Sequence, residues 1–139
     1  MKPVYLLDTN VVSELVRPAP DRRVLERFAA GEGRMAIPSI VWHELLYGMS
    51  RLPDSRRRDA LRSFLMDVIA PSLPVLPYDG HAAWHHAVAR AALEARGEFM
   101  PFADGQIAAT AVANNLVLVT RNLADFRAYP SLMLESWFE

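Results

Sequence analysis

Leu116-Val117-Leu118-Val119-Thr120 is an unbroken apolar run closed by a β-branched hydroxyl residue. Five such residues are too few for a helix and rich in the side chains that fit a pleated sheet, so the segment reads as a strand. Before it lies a small-residue stretch that starts at Asp104, is led in by Pro101 to Ala103 and ends at Asn114-Asn115, the pattern of a helix with its stop. After it, Asn122 and Asp125 follow in the next loop. The N-terminal run Val4-Tyr5-Leu6-Leu7 has the same form: a short apolar strand that ends on an acid, Asp8.

Working outward, helices fill the gaps. Thr9 or Asn10 is placed to cap a helix through Val16, stopped by Pro18, and Asp21 to cap a second with Val24, Leu25 and Phe28 on one face and Gly31 as its stop. Met35 to Ile37 reads as a second strand. Ser39 is placed to cap a helix through Gly48, and past the Leu52-Pro53-Asp54 break a partner helix runs from Ser55 to Ala70 with Leu61, Phe64, Leu65, Val68 and Ile69 as its inner stripe. Val75-Leu76 reads as a third strand, Asp79 caps an alanine-rich helix to Arg96 closed by Gly97, and Leu132 to Leu134 reads as a last edge strand. Strands and helices alternate from end to end, which predicts an α/β fold with a mainly parallel central sheet. No repeat, linker or low-complexity segment divides the chain, so residues 1–139 are expected to form a single domain.

Composition narrows the chemistry. The chain has no Cys, which removes disulfides, thiolate metal sites and a cysteine nucleophile and points to a reducing, cytoplasmic setting. Its N-terminal apolar run is too short for a signal peptide, and no stretch approaches the ~18 apolar residues of a membrane span, so neither secretion nor a membrane is expected. Fifteen basic against sixteen acidic side chains give a net charge of −1, so any nucleic-acid contact must come from a local patch. Lys2 is the only lysine. That excludes a phosphate-binding loop, and it excludes the receiver and haloacid-dehalogenase-like phosphoaspartate folds, which also place an Asp after strand one but need a late lysine.

In parallel sheets, ligands gather at the carboxyl ends of the strands. Asp8 follows the first strand, and Asn122 and Asp125 follow the strand that ends at Thr120, so two strands deliver acids to one rim. Asp104 starts its helix, where a carboxylate is favoured by the free N–H groups. Singly, each acid has an ordinary role: Asp104 as a cap, Asp125 in a turn, Glu44 on a solvated helix face. Glu44 fits that role least, because Val41, Leu45 and Tyr47 surround it on a largely apolar helix where an unpaired carboxylate is costly.

Four segments, Leu6-Leu7-Asp8-Thr9-Asn10, Glu44-Leu45-Leu46-Tyr47-Gly48, Asp104-Gly105-Gln106-Ile107-Ala108-Ala109 and Thr120-Arg121-Asn122-Leu123-Ala124-Asp125-Phe126, resemble in order and spacing those of PIN-domain ribonucleases, specifically VapC-type toxins. The likeness spans almost the whole chain. It implies a three-layer PIN-like α/β fold and a catalytic metal site of Asp8, Glu44, Asp104 and Asp125, the last being the acid that varies most in the family. It further implies that Thr120, Asn122 and Asn10 support those carboxylates. The implied cofactor is Mg²⁺, with Mn²⁺ as the alternative. The implied partners are an RNA substrate, a cognate VapB-like antitoxin that covers the site, operator DNA reached only through that antitoxin, and a second copy in a homodimer. Two departures from the family pattern are Gly105 directly after the third acid, which loosens that helix's first turn, and Glu135-Ser136-Trp137-Phe138 in place of Asn-Pro-Trp.

The residue types suit that chemistry on their own. Clustered carboxylates raise one another's pKa, and a divalent cation resolves the conflict. All-oxygen donors favour Mg²⁺ or Mn²⁺, which can activate a water for in-line attack on a phosphodiester and neutralise the leaving oxygen. Other patterns fit less well. His43-Glu44 lacks the second histidine of a zinc-protease helix, since Tyr47 stands there, and no G-x-S-x-G elbow occurs. His81, His85 and His86 read as surface histidines, and Trp42, Trp84, Trp137 and Phe138 as core or dimer-interface residues. Arg56, Arg57, Arg58 and Arg62 make a basic arm whose ordinary reading is a solvated face. Arg121, beside the acidic rim, is the better candidate for a phosphate contact. The competing function is a catalytically inactive PIN-fold module that binds a partner protein or RNA, and metal binding separates the two.

Overall fold

The computed structural model describes residues 2–138. Strands β1 (Tyr5–Leu7), β2 (Met35–Pro38), β3 (Val75–Leu76), β4 (Val117–Val119) and β5 (Met133–Glu135) form one sheet in the order β3-β2-β1-β4-β5, with every neighbouring pair parallel. Leu6 and Leu7 of β1 and Leu118 and Val119 of β4 are all fully buried, as expected of strands covered on both faces. Helices flank the sheet: α1 (Thr9–Glu14), α2 (Arg22–Ala30), α3 (Ser39–Ser50), α4 (Arg56–Ser63), α5 (Ala70–Ser72), α6 (Gly80–Ala95), α7 (Phe102–Ala113) and α8 (Leu123–Phe126).

The strand order carries the functional geometry. From β1 the chain steps through β2 to β3 on one side, then returns across the sheet to β4 and ends at β5 on the other. The direction of winding reverses between β1 and β4, and a crevice opens at the carboxyl ends of such a strand pair. Pairing of Leu7 with Val119 puts Asp8 and Thr120 at the same level of that crevice.

Several local expectations are corrected. Asp8 itself, not Thr9 or Asn10, is the N-cap of α1, its carboxylate accepting from the Thr9 amide at 2.8 Å, and the helix ends at Glu14 rather than Val16. Pro38 holds the N-cap position of α3 with no side-chain bond, because strand β2 runs straight into the helix and leaves Ser39 already helical. Asp104 is not a cap either: Pro101 holds the N-cap position, α7 begins at Phe102, and the acid is the third residue of its first turn. The single helix expected from Ser55 to Ala70 is α4, a π-helical segment from Phe64 to Ile69, and α5. The wider π turn shifts the inner face, so Leu65 and Ile69 are buried while Val68 turns outward at 41% exposure. Of the tryptophans, Trp137 is buried, Trp42 half-buried and Trp84 63% exposed.

Candidate active site

Each acid is presented by a different element. Asp8 is the residue after β1; its amide still donates to the Val119 carbonyl at 2.9 Å, so the sheet closes directly beneath the carboxylate. Its side chain is buried and fully engaged, with Oδ1 accepting from the Thr9 amide at 2.8 Å and Oδ2 from Thr120 Oγ1 at 2.9 Å and Asn10 Nδ2 at 3.3 Å. Glu44 projects from α3, and its Oε2 accepts from Thr9 Oγ1 at 2.8 Å. Thr9 thus ties the first acid to the second, a link missed in the sequence because a threonine after an acid reads only as a helix start. Asp104 stands in the first turn of α7 and Asp125 in the first turn of α8, where the helix ends favour negative charge.

The charges are coupled. The Asp104 carboxyl is pushed up from 3.8 to about 6, first by burial and then by the charges of Asp8, Asp125 and Glu44. Burial also raises the Asp8 carboxyl, with the Glu44 charge adding to it, against the opposing pull of its bonds from Thr9, Thr120 and Asn10. None of the four acids has an ion-pair partner among the described residues, although the protein forms eight ion pairs elsewhere. Nor are three or more His, Asp or Glu side chains gathered there into a closed metal cage. The acids form an open, charge-coupled cluster, a donor set of oxygens that suits a hard divalent cation needing only one or two carboxylates and keeping its own waters.

The expected supporting residues divide. Thr120 and Asn10 bond Asp8 directly, and Asn10 Oδ1 also accepts from the Arg121 amide at 3.1 Å. Asn122 touches the cluster only through its backbone, its N–H donating to Thr120 Oγ1 at 3.1 Å while its side chain makes no capping bond. The Arg121 guanidinium lies over the Phe138 ring at 4.7 Å and 3.9 Å from Glu14. Glu14 is a second residue the sequence did not single out. It is buried, and its carboxyl is held low by the Asp21 amide at 2.8 Å and by Arg17 at 3.1 Å, so it fastens the loop after α1. Among the expected surface histidines, His86 is an exception: it is buried, 2.9 Å from the Tyr78 hydroxyl and packed on the Phe102 ring.

Two open grooves border Glu44, Asp104 and Asp125. One, of about 480 Å³, is lined by Ser39, His43, Glu44, Tyr78 and Gln106; the other, of about 420 Å³, by Phe99, Pro101, Asp104, Ala124 and Asp125.

The PIN domain family model matches residues 5–131. The chain is similar to the VapC ribonuclease Y4jK of Sinorhizobium fredii, 35% identical over 137 residues that cover 96% of this chain and 98% of that one. It is also similar to the structure of FitAcB from Neisseria gonorrhoeae, with a TM-score of 0.88, 30% identity and coverage of 98% and 99% of the two chains. A third likeness is to VapBC2 from Rickettsia felis bound to a DNA fragment from their promoter, with a TM-score of 0.83, 30% identity and 99% coverage of both chains.

Proposed function

This chain belongs to the PIN-domain family, and from that premise we propose that it is a metal-dependent endoribonuclease, the toxin of a toxin–antitoxin pair. One observation carries the reading: the charges of Asp8 after β1, Glu44 on α3 and Asp125 on α8 all act on Asp104 of α7, and none of the four has an ion-pair partner among the described residues. We assign Asp8 and Asp104 as the main metal ligands, with Glu44 as a ligand or water-orienting base and Asp125 completing the set. Mg²⁺ or Mn²⁺ held there would supply Lewis acidity for hydrolysis of an RNA phosphodiester.

The remaining tasks fall to the chain's own groups. The Asp8 carboxylate is fixed in direction by its bonds from Thr9, Thr120 and Asn10, which also oppose the burial that raises its pKa. Glu44 is steered by the Thr9 hydroxyl, which also couples its position to Asp8. Asp104, with its raised pKa, is the group of the cluster most ready to hold a proton near neutrality. The partners belong to the same proposal: a VapB-like antitoxin over the site, operator DNA through that antitoxin, and a homodimer, with residues 1–139 as one PIN domain. Among the described residues no helix is long and apolar enough to cross a membrane.

The test is cleavage of total cellular RNA by the purified, partner-free protein in Mg²⁺, Mn²⁺ or EDTA, with Asp8→Asn as control. Discrete fragments that require both the metal and Asp8 are expected. Metal-independent cleavage, or fragments that persist in Asp8→Asn, would overturn the assignment, and a chain that neither cleaves nor binds metal would be the inactive binding module instead. A second result is expected from titration calorimetry with Mn²⁺. Because a ligating carboxyl must lose its proton, affinity should weaken toward tenfold per pH unit below about 6, where Asp104 becomes protonated. Affinity that stays flat between pH 5 and 7 would remove Asp104 from the ligand set.

A further inference from the structure

We infer that the outer ridge of α3 is a track for single-stranded RNA, with Tyr47 as its stacking platform and the arginines beyond it as phosphate contacts. The inference rests on the nuclease reading and names what that site would have to hold. A phosphate can reach the acids only if its flanking nucleotides lie along one of the two bordering grooves, and the acids themselves repel the strand. Some neighbouring surface must therefore attract it.

The ridge has the composition for that. His43, Tyr47 and Arg51 recur every fourth residue, so they lie on one line of α3 and the residue that follows it, beside Glu44. His43 lines the same groove as Glu44. Its ring and that of Tyr47 are parallel to within 3°, with centroids 6.2 Å apart, and the Arg51 guanidinium lies 5.2 Å from the Tyr47 ring on the same line. Tyr47 is 57% exposed, far more than a residue kept for packing. Across the turn, Arg56 and Arg57 at the start of α4 are exposed and have no ion-pair partner among the described residues, whereas Arg58 is bound to Asp54 at 2.7 Å.

Two planar rings and a guanidinium in series, on a helix followed in the chain by two exposed, unpaired arginines at the start of α4, match a nucleic acid whose base faces are free. Every base offers a π-face, so such a platform accepts many sequences, but a duplex hides those faces in its stack. The chemistry therefore selects single-stranded RNA, such as a loop or an unpaired end, over a helix.

The experiment uses the full chain in EDTA, where it cannot cleave through the metal, and follows fluorescence anisotropy of a labelled single-stranded oligoribonucleotide and of the same sequence paired in a duplex. Tyr47→Ala is expected to weaken single-strand binding about tenfold and leave duplex binding unchanged, while Tyr47→Phe, which keeps the ring, stays close to wild type. Replacing both Arg56 and Arg57 by Ala should reduce the slope of log affinity against log salt by roughly 1.4, about 0.7 for each lost phosphate contact. Wild-type affinity in Tyr47→Ala, equal losses for single strand and duplex, or no RNA binding by the wild type would each overturn the track; in the first case the ridge is a protein contact. Single-strand binding that depends on Tyr47, in a chain that cleaves no RNA with either metal, would leave the track standing and remove the nuclease reading. Normal cleavage with Tyr47-independent binding would do the reverse.

Discussion

Asp104→Asn is expected to make the metal-free protein more stable while reducing RNA cleavage on the order of a thousandfold or more. The two effects have one cause. The Asp104 carboxyl titrates at about 6 in the folded chain against 3.8 ordinarily, because it is partly buried and faces Asp8, Asp125 and Glu44. A folded-state pKa above the unfolded value means that the folded chain binds the proton more tightly, so stability is full below about pH 4 and declines as pH rises towards about 6. At pH 7 the ionised group costs the fold about 1–2 kcal/mol after a discount for solvent screening, and a neutral Asn avoids that cost. Thermal melts in EDTA should place the variant roughly 3–6 °C above wild type at pH 7 and level with it near pH 4. Mn²⁺ should raise the wild type and not the variant. A variant less stable than wild type at pH 7 would show that Asp104 is held by favourable partners and not strained by like charges.

Gly105→Ala is expected to destabilise the fold by roughly 3 kcal/mol, lowering the melting temperature by roughly 10 °C. A Cβ at this position would run into His86 Nε2 and lie 2.8 Å from its Cδ2, closer than a packed carbon tolerates. His86 has little room to retreat, since it is 5% exposed, lies 2.9 Å from the Tyr78 hydroxyl through Nδ1, and packs on Phe102 with ring centroids 4.9 Å apart. The glycine is therefore needed for the close approach of α6 to α7 and not for freedom in the first helical turn. The decisive check is a double-mutant cycle by urea unfolding. In a His86→Ala background the clash is gone, and Gly105→Ala should be neutral or stabilising by up to about 1 kcal/mol from helix propensity. If Gly105→Ala costs as much with His86 removed as with it present, the histidine is not what the glycine accommodates.

What the sequence disclosed and what it withheld separate along a physical line. Strands β1 and β4 were legible because short apolar runs that end in an acid or a threonine are local patterns, and the acids at their ends were legible for the same reason. The strand order was not, since nothing in the run from Val75 to Leu76 says that the chain next crosses the sheet to lie beside β1. Boundaries slipped where a residue had two possible roles. Asp8 was read as the end of a strand and proved also to be the cap of a helix, and Asp104 was placed at a helix start that Pro101 occupies. The π-helical segment left no mark in composition, because one extra residue per turn only shifts which apolar side chain faces inward, and Val68 was the residue misplaced by it. Contacts such as Thr9 with Glu44 and Gly105 with His86 join positions 35 and 19 residues apart, and a single sequence carries no trace of such pairs.

Asp8 closes the sheet through its amide, starts α1 through its carboxylate and carries charge into the crevice. The same codon therefore answers to two selective pressures, one on folding and one on chemistry. A lineage that abandons the reaction does not thereby become free to lose this residue, because the helix start and its bonds from Thr9, Thr120 and Asn10 would go with it. Glu44 holds only a side-chain hydroxyl, and Asp125 accepts no bond from any other group among the described residues. Inactive descendants of this chain are expected to shed those acids first and keep Asp8 longest, so an Asp at this position is poor evidence of activity and a missing acid at 44 or 125 the earlier sign of its loss.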